Sequence, residues 1–203
     1  DVVPREEQAG QHQPRTFTTA KDVDLLFDVL AAEEEAARDV DLELLIEVTR
    51  AFEEMGVAHA IGGSVASSAY GFYRTTHDAD IVADLQPSHV KELERRLGSS
   101  FLFDEERVLS AISKRTQFNL IHLEKAFKVD VYLPRGDRFS RQQLTRRVRI
   151  DAPGAPGVKL VFCSVEDLVL EKLRWFRMGG EVPERQWLDV QGVLKMQKPT
   201  IDR

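Results

Sequence analysis

The sequence predicts an α/β fold, a small mixed β-sheet with flanking helices followed by a short C-terminal helical part. Three observations predict it. Short apolar runs of strand character, at Val57–Ile61, Ala79–Leu85, Phe118–Leu123 and Phe127–Leu133, are interleaved with stretches of helical spacing. Gly and Pro signals, among them Gly62-Gly63, Pro153-Gly154 and Gly179-Gly180, separate these runs. Hydrophobic residues make up 42% of the 203 residues and charged residues 31%, a balance that can bury a sizeable core.

Residues 1–20, with Pro4, Pro14 and three Gln, read as a flexible arm. Val23, Leu26, Phe27 and Leu30 fall at helical spacing within Lys21–Glu35. A stronger helix is expected over Asp41–Met55, with Asp41 as its cap, Leu45, Val48, Phe52 and Met55 as its inward stripe, and Gly56 as its stop. A strand at Val57–Ile61, a glycine turn and a short helix at Val65–Tyr70 come next, then the Ala79–Leu85 strand. Residues 87–97 and Glu106–Lys114 read as helices, with a small strand at Phe101–Phe103 between them. Phe118–Leu123 with Phe127–Leu133, and Val148–Asp151 with Val158–Phe162, read as two hairpins. Ser164 caps a helix over Val165–Met178, and Pro183 starts a last one reaching about Lys195. The organisation is thus an arm at 1–20, N-terminal helices and core at 21–163, and C-terminal helices at 164–203.

Composition excludes several classes. No apolar stretch approaches the ~18 residues a membrane span needs, and Asp1–Gly10 hold no apolar signal region. A single cysteine, Cys163, excludes an intramolecular disulfide framework and a Cys-rich zinc site, so a reducing cytoplasm is the expected compartment. The histidines lack paired metal spacing. Ser64, Ser67 and Ser68 do not form a nucleophile elbow. Trp175 and Phe176 are expected in the core. The net charge of −6 argues against a chain that coats nucleic acid with its whole surface. Charge is segregated, however. Residues 1–50 hold 13 Asp and Glu against 5 Lys and Arg, whereas Arg135, Arg138, Arg141, Arg146, Arg147 and Arg149 are opposed only by Asp137.

The informative stretch is Ile61-Gly62-Gly63-Ser64, thirteen intervening residues, then Asp78-Ala79-Asp80-Ile81. A Gly-Gly-Ser turn entering a helix exposes backbone N–H groups and has no side chain to block phosphate oxygens, and the Ser64 hydroxyl adds a donor. In a strand, residues i and i+2 share a face, so Asp78 and Asp80 present two carboxylates side by side. Like charges held that close call for a cation, and oxygen ligands suit Mg²⁺. Asp130, in Lys128-Val129-Asp130-Val131-Tyr132, is a third strand carboxylate, chosen over nearby Glu124 and Asp137 by strand placement alone. A phosphate-cradling turn with three acidic strand residues equips a site for metal-assisted phosphoryl or nucleotidyl transfer.

This pattern resembles the DNA polymerase β-type nucleotidyltransferase superfamily. Ser164-Val165-Glu166-Asp167-Leu168 with Lys172, then Arg185-Gln186 and Asp189-Val190, is similar to its branch of abortive-infection type nucleotidyltransferase toxins. The resemblance implies that Asp78, Asp80 and Asp130 hold Mg²⁺ or Mn²⁺ and that Gly62, Gly63 and Ser64 grip the triphosphate of a nucleoside triphosphate. It further implies that Lys172 contacts phosphate, that Asp189 closes the site and that Arg74 belongs to it. A toxin-like protein of this kind would have an antitoxin partner.

The implied reaction moves a nucleoside monophosphate to an acceptor hydroxyl with release of pyrophosphate. The acceptor is RNA (tRNA included) or protein in the toxin-like reading and a small molecule in the antibiotic-modifying one. A nucleotide-binding scaffold without turnover is the alternative outside enzymes. The arginines from Arg135 to Arg149 follow the Asp130 strand, so they are expected either to hold a polyanionic acceptor or to neutralise the acidic N-terminal helices.

Overall fold

Asp41 opens a helix because its carboxylate accepts a hydrogen bond from the Leu44 N–H at 3.2 Å, satisfying one of the free donors of the first turn. That helix, α1 (Leu42–Glu54), buries Leu44, Leu45, Val48 and Phe52 and ends before Gly56, whose φ of 70° favours a residue without Cβ. The computed structural model describes residues 41–73, 76, 78–125, 127–179 and 184–197, all within the unit spanning residues 37–203. The arm at 1–20, the helix expected at Lys21–Glu35 and the site candidate Arg74 lie outside the described residues.

After α1 come β1 (His59–Ile61), α2 (Gly63–Ala69), β2 (Asp78–Ala83), a 3₁₀ turn at Pro87–His89, α3 (Val90–Leu97) and β3 (Phe101–Leu102). The chain continues through α4 (Glu105–Lys114), β4 (Gln117–His122), β5 (Lys128–Tyr132) and α5 (Arg138–Thr145). It finishes with β6 (Val148–Ala152), β7 (Ala155–Phe162), α6 (Val165–Met178) and α7 (Glu184–Gln197). Among the described residues the strands form one seven-stranded sheet in the order β3-β4-β5-β2-β1-β7-β6. β2 runs parallel to β5 and β1 parallel to β7; every other neighbouring pair is antiparallel. The two expected hairpins are β4–β5 and β6–β7.

One sheet face is apolar. Ala79, Ile81, Val129, Val131 and Leu120 are fully buried on it, part of one core with Leu45, Phe52, Leu93 and Leu97 from the helices. The opposite face carries the polar members of the same strands, Asp78 and Asp80 on β2 and Lys128 and Asp130 on β5. Among the described residues no helix is long and apolar enough to cross a membrane.

The basic stretch hides a helix. Asp137, read from sequence as a lone acid among arginines, accepts the Ser140 N–H at 2.7 Å and caps α5. Several arginines then have internal partners. Arg146 donates through Nε to Asp167 at 3.0 Å, and the Asp167 side chain is almost fully buried. Arg149 pairs with Glu53 of α1, while Arg141 and Arg147 donate to the carbonyls of Gly136 and Leu144. Arg146 is therefore the counter-ion of a buried carboxylate, a structural task that sequence proximity to Asp130 did not reveal. Arg146→Ala strips that carboxylate of its partner and should lower stability by about 2 kcal/mol. Urea unfolding checks this, with Arg138→Ala expected to change the midpoint far less.

Candidate functional site

The parallel pairing of β2 with β5 sets the register Asp78↔Lys128, Asp80↔Asp130 and Val82↔Tyr132. Residues paired across adjacent strands share a face, so three carboxylates, one ammonium and one phenol stand together. Asp130 is buried, with Oδ1 shielded from solvent and without a hydrogen-bond partner, while its Oδ2 lies 2.7 Å from Lys128 Nζ. Lys128 Nζ also lies 3.9 Å from Asp78 Oδ2. The other Asp78 oxygen accepts the Thr76 hydroxyl at 2.6 Å, which fixes the carboxylate at the strand entrance.

The glycine turn closes on this group from β1. The Gly62 N–H donates to the Asp80 carbonyl at 2.8 Å, holding the turn against β2. Gly63 begins α2 with φ of 58°, and a Cβ there would fall 1.8 Å from Asp80 Oδ2. Two independent demands thus exclude a side chain at Gly63: a left-handed backbone and a space already filled by the carboxylate. Ser64 is buried in the first turn of α2.

Two C-terminal helices complete the surroundings. On α6, Lys172 is buried and its Nζ lies 2.5 Å from Asp189 Oδ2 of α7, which is buried as well. Gly62, Gly63, Ser64, Asp80 and Lys172 line one cavity of about 240 Å³, together with Glu171, Tyr132, Trp175 and Gln186. The buried Gln186 Oε1 has no hydrogen-bond partner. Tyr132, Val82, Glu171 and Trp175 also border a second cavity of about 410 Å³, lined further by Arg115, Arg135, Arg174, Phe139 and Gln143. Arg174 stacks over the Phe139 ring at 5.1 Å.

The electrostatics follow from this crowding. Burial, then the charges of Asp78, Asp130 and Glu171, push the Asp80 carboxyl up to about 6, with Lys172 opposing. Burial also raises Glu171, against a hydrogen bond from Gln143 at 3.1 Å. Burial and the neighbouring carboxylates of Asp80 and Asp130 raise the Tyr132 phenol, so it stays protonated. Lys128 is raised chiefly by its bond to Asp130 and stays charged.

Among the described residues no group of three or more His, Cys, Asp and Glu side chains is arranged to hold a metal ion as it stands. The donor chemistry nonetheless fits a hard divalent cation. Three carboxylates converge, one with a buried oxygen lacking any hydrogen bond, beside a turn that brings its backbone against Asp80.

Of the sequence candidates, the structure places Asp78, Asp80 and Asp130 on one face and gathers Gly62, Gly63, Ser64, Lys172 and Asp189 beside them. Sequence reasoning missed Lys128, Tyr132 and Glu171. The first two share the parity of Asp130 on β5, and Glu171 lies at helical spacing from Leu168 and Trp175, so each had a periodic signal. Trp175, expected in the core, is exposed and borders both cavities, while Phe176 stacks on Trp187 at 5.6 Å.

In three dimensions the chain is similar to an antigenic nucleotidyltransferase-like protein from Paracoccidioides brasiliensis. The TM-score is 0.52 at 15% identity, covering 80% of this chain and 78% of that one. It is similar too to the antibiotic-resistance factor ANT(2'')-Ia, with TM-score 0.51 and 13% identity over 76% of this chain and 83% of that one. No family model matches the sequence, and no curated protein matches it. The likeness is one of fold, and the fold is nucleotidyltransferase-like.

The raised Asp80 carboxyl makes stability depend on pH. An acid whose folded value lies above its unfolded one binds more protons when folded, so its contribution is complete below about pH 4 and is lost as the pH rises through about 6. In chelator, Asp80→Asn should therefore melt above wild type at neutral pH, by an amount that vanishes near about pH 4. Melting curves across that range provide the check. Gly63→Ala should be destabilising at every pH, because both its backbone and its neighbour must shift.

Proposed function

From a nucleotidyltransferase-like fold, we propose that this chain transfers a nucleoside monophosphate from a nucleoside triphosphate to an acceptor hydroxyl, with Mg²⁺ or Mn²⁺ and release of pyrophosphate. The observation that carries the reading is the register Asp80↔Asp130, set beside a glycine turn whose Cβ space Asp80 already fills. Asp78, Asp80 and Asp130 would hold the divalent ion, which when bound supplies charge neutralisation at the phosphates and acidifies the acceptor hydroxyl.

The chain's own residues have separable tasks in this reading. The Gly62-Gly63-Ser64 turn binds the phosphate oxygens through N–H and hydroxyl donors. Lys172, held in place by Asp189, brings a cation to the same cavity. Asp130, the third carboxylate of the face, would receive the acceptor proton, its Oδ1 having no other hydrogen-bond partner. Tyr132, which lines the same cavity as Asp80, brings a protonated phenol to it. Positioning and charge stabilisation account for most of the rate gain in such a site.

For the acceptor, the second cavity offers Arg115, Arg135 and Arg174 beside the aromatic faces of Phe139 and Trp175. Guanidiniums with aromatic surfaces suit a polyanion with exposed bases, so RNA is the acceptor we favour. The volume of about 410 Å³ also suits a small hydroxylated molecule, the acceptor of the antibiotic-modifying alternative.

Incubation with each α-labelled nucleoside triphosphate, total RNA and small hydroxylated compounds tests the reading. Label should move to one acceptor as pyrophosphate appears, and Asp78→Asn or Asp80→Asn should cut turnover more than about a hundredfold with the fold intact. Normal turnover in both variants would contradict the metal site. Absence of any pyrophosphate release would favour a nucleotide-binding scaffold. If RNA takes the label, log K should fall with log[salt] at ~0.7 per phosphate contact. Arg135→Ala should then flatten the slope by about one contact without loss of triphosphate binding.

A further inference from the structure

Lys128 stands two residues before Asp130 on β5 and opposite Asp78 on β2, so its side chain shares the carboxylate face. Its Nζ lies 2.7 Å from Asp130 Oδ2 and 3.9 Å from Asp78 Oδ2, a position that neutralises two of the three acids at once. Asp130 is buried and its Oδ1 has no hydrogen bond, so the ammonium is its counter-charge. The lysine side chain is nevertheless 37% exposed, and a four-carbon stem at a cleft edge is free to swing outward. None of the tasks assigned above to the turn, Lys172 or Asp130 Oδ1 requires an ammonium here.

We propose that Lys128 is a resident counter-ion that occupies the place between Asp78 and Asp130 in the nucleotide-free protein and competes with the divalent cation for their oxygens. The proposal rests on the metal-dependent reading and adds a regulatory consequence to it. With Lys128 in place the acids have less negative charge to offer, so a divalent ion alone binds weakly. A triphosphate seated on the glycine turn brings the further negative charge that draws the ion in and lets the ammonium leave. Ion entry is thereby tied to nucleotide arrival, and the carboxylates are not left bare and mutually repelling before it.

The experiment is Mn²⁺ titration of nucleotide-free protein, with free Mn²⁺ read by electron paramagnetic resonance. Lys128→Gln keeps a donor for Asp130 and removes the charge; it should bind Mn²⁺ about tenfold more tightly than wild type. Lys128→Arg keeps the charge and should not gain. If Lys128→Gln folds poorly, the rise in melting temperature on adding Mn²⁺ to Lys128→Met, compared with the smaller rise in wild type, reads the same competition. Equal or weaker Mn²⁺ affinity in the neutral variants, or an equal gain in Lys128→Arg, overturns the proposal. Mn²⁺ binding that is equal in wild type and Lys128→Gln but lost in Asp80→Asn overturns only the role of Lys128. Failure of every variant to bind Mn²⁺ overturns it together with the metal-dependent reading.

Discussion

Three carboxylates on one face of two neighbouring strands repel each other, and most of the local structure around Asp80 answers that repulsion. Asp78 and Asp80 alternate along β2, and the parallel pairing with β5 brings Asp130 directly opposite Asp80. In a protein interior such an arrangement costs free energy unless the charges are neutralised, shared or protonated. The chain uses all three means. Lys128 bonds Asp130, Thr76 donates to Asp78, and the Asp80 carboxyl is itself pushed up to about 6. Packing alone gives no return for so costly a cluster, and the proposed function draws on that.

The rest of the fold positions that face. The parallel β2–β5 pair requires a crossover, filled by α3, β3, α4 and β4, and that crossover adds Leu93, Leu97, Phe101, Val108 and Leu120 to the core. β1 delivers the glycine turn against β2 through the Gly62–Asp80 backbone bond, and Gly63 lets the turn come close enough to touch the carboxylate. Behind it, Ser164 caps α6 through the Asp167 N–H, and Arg146 neutralises the Asp167 carboxylate, so the helix bearing Glu171 and Lys172 is fixed at its start. A basic residue remote from the carboxylate face thus helps to place Glu171 and Lys172 beside it.

Much of this was legible in the sequence because periodicity carries it. The alternation of β4 and β5, the stripe of α1 and the caps at Asp41 and Ser164 each follow a local rule. The two-residue spacing of Asp78 and Asp80 also exposes their shared face. What was not legible depends on pairing between distant segments. Strand placement already favoured Asp130, but only the register sets it opposite Asp80, while Glu124 is exposed in a turn and Asp137 is spent as a cap. Composition concealed α5, since a run rich in arginine reads as a surface patch until its capping acid is recognised. Lys128 and Glu171 were hidden for a related reason: a charged residue on a strand or helix reads as solvated until its neighbours across the sheet or cavity are known.

In the proposed function the carboxylate face and the glycine turn form one binding unit for a metal-complexed triphosphate. Calorimetric titration of a non-hydrolysable nucleoside triphosphate analogue, with Mn²⁺ and with chelator, tests this most directly. Wild type should bind much more tightly in Mn²⁺ than in chelator, and both Asp78→Asn and Asp80→Asn should lose that difference. Equal affinity with and without Mn²⁺, or a Mn²⁺ effect that survives both substitutions, would contradict it.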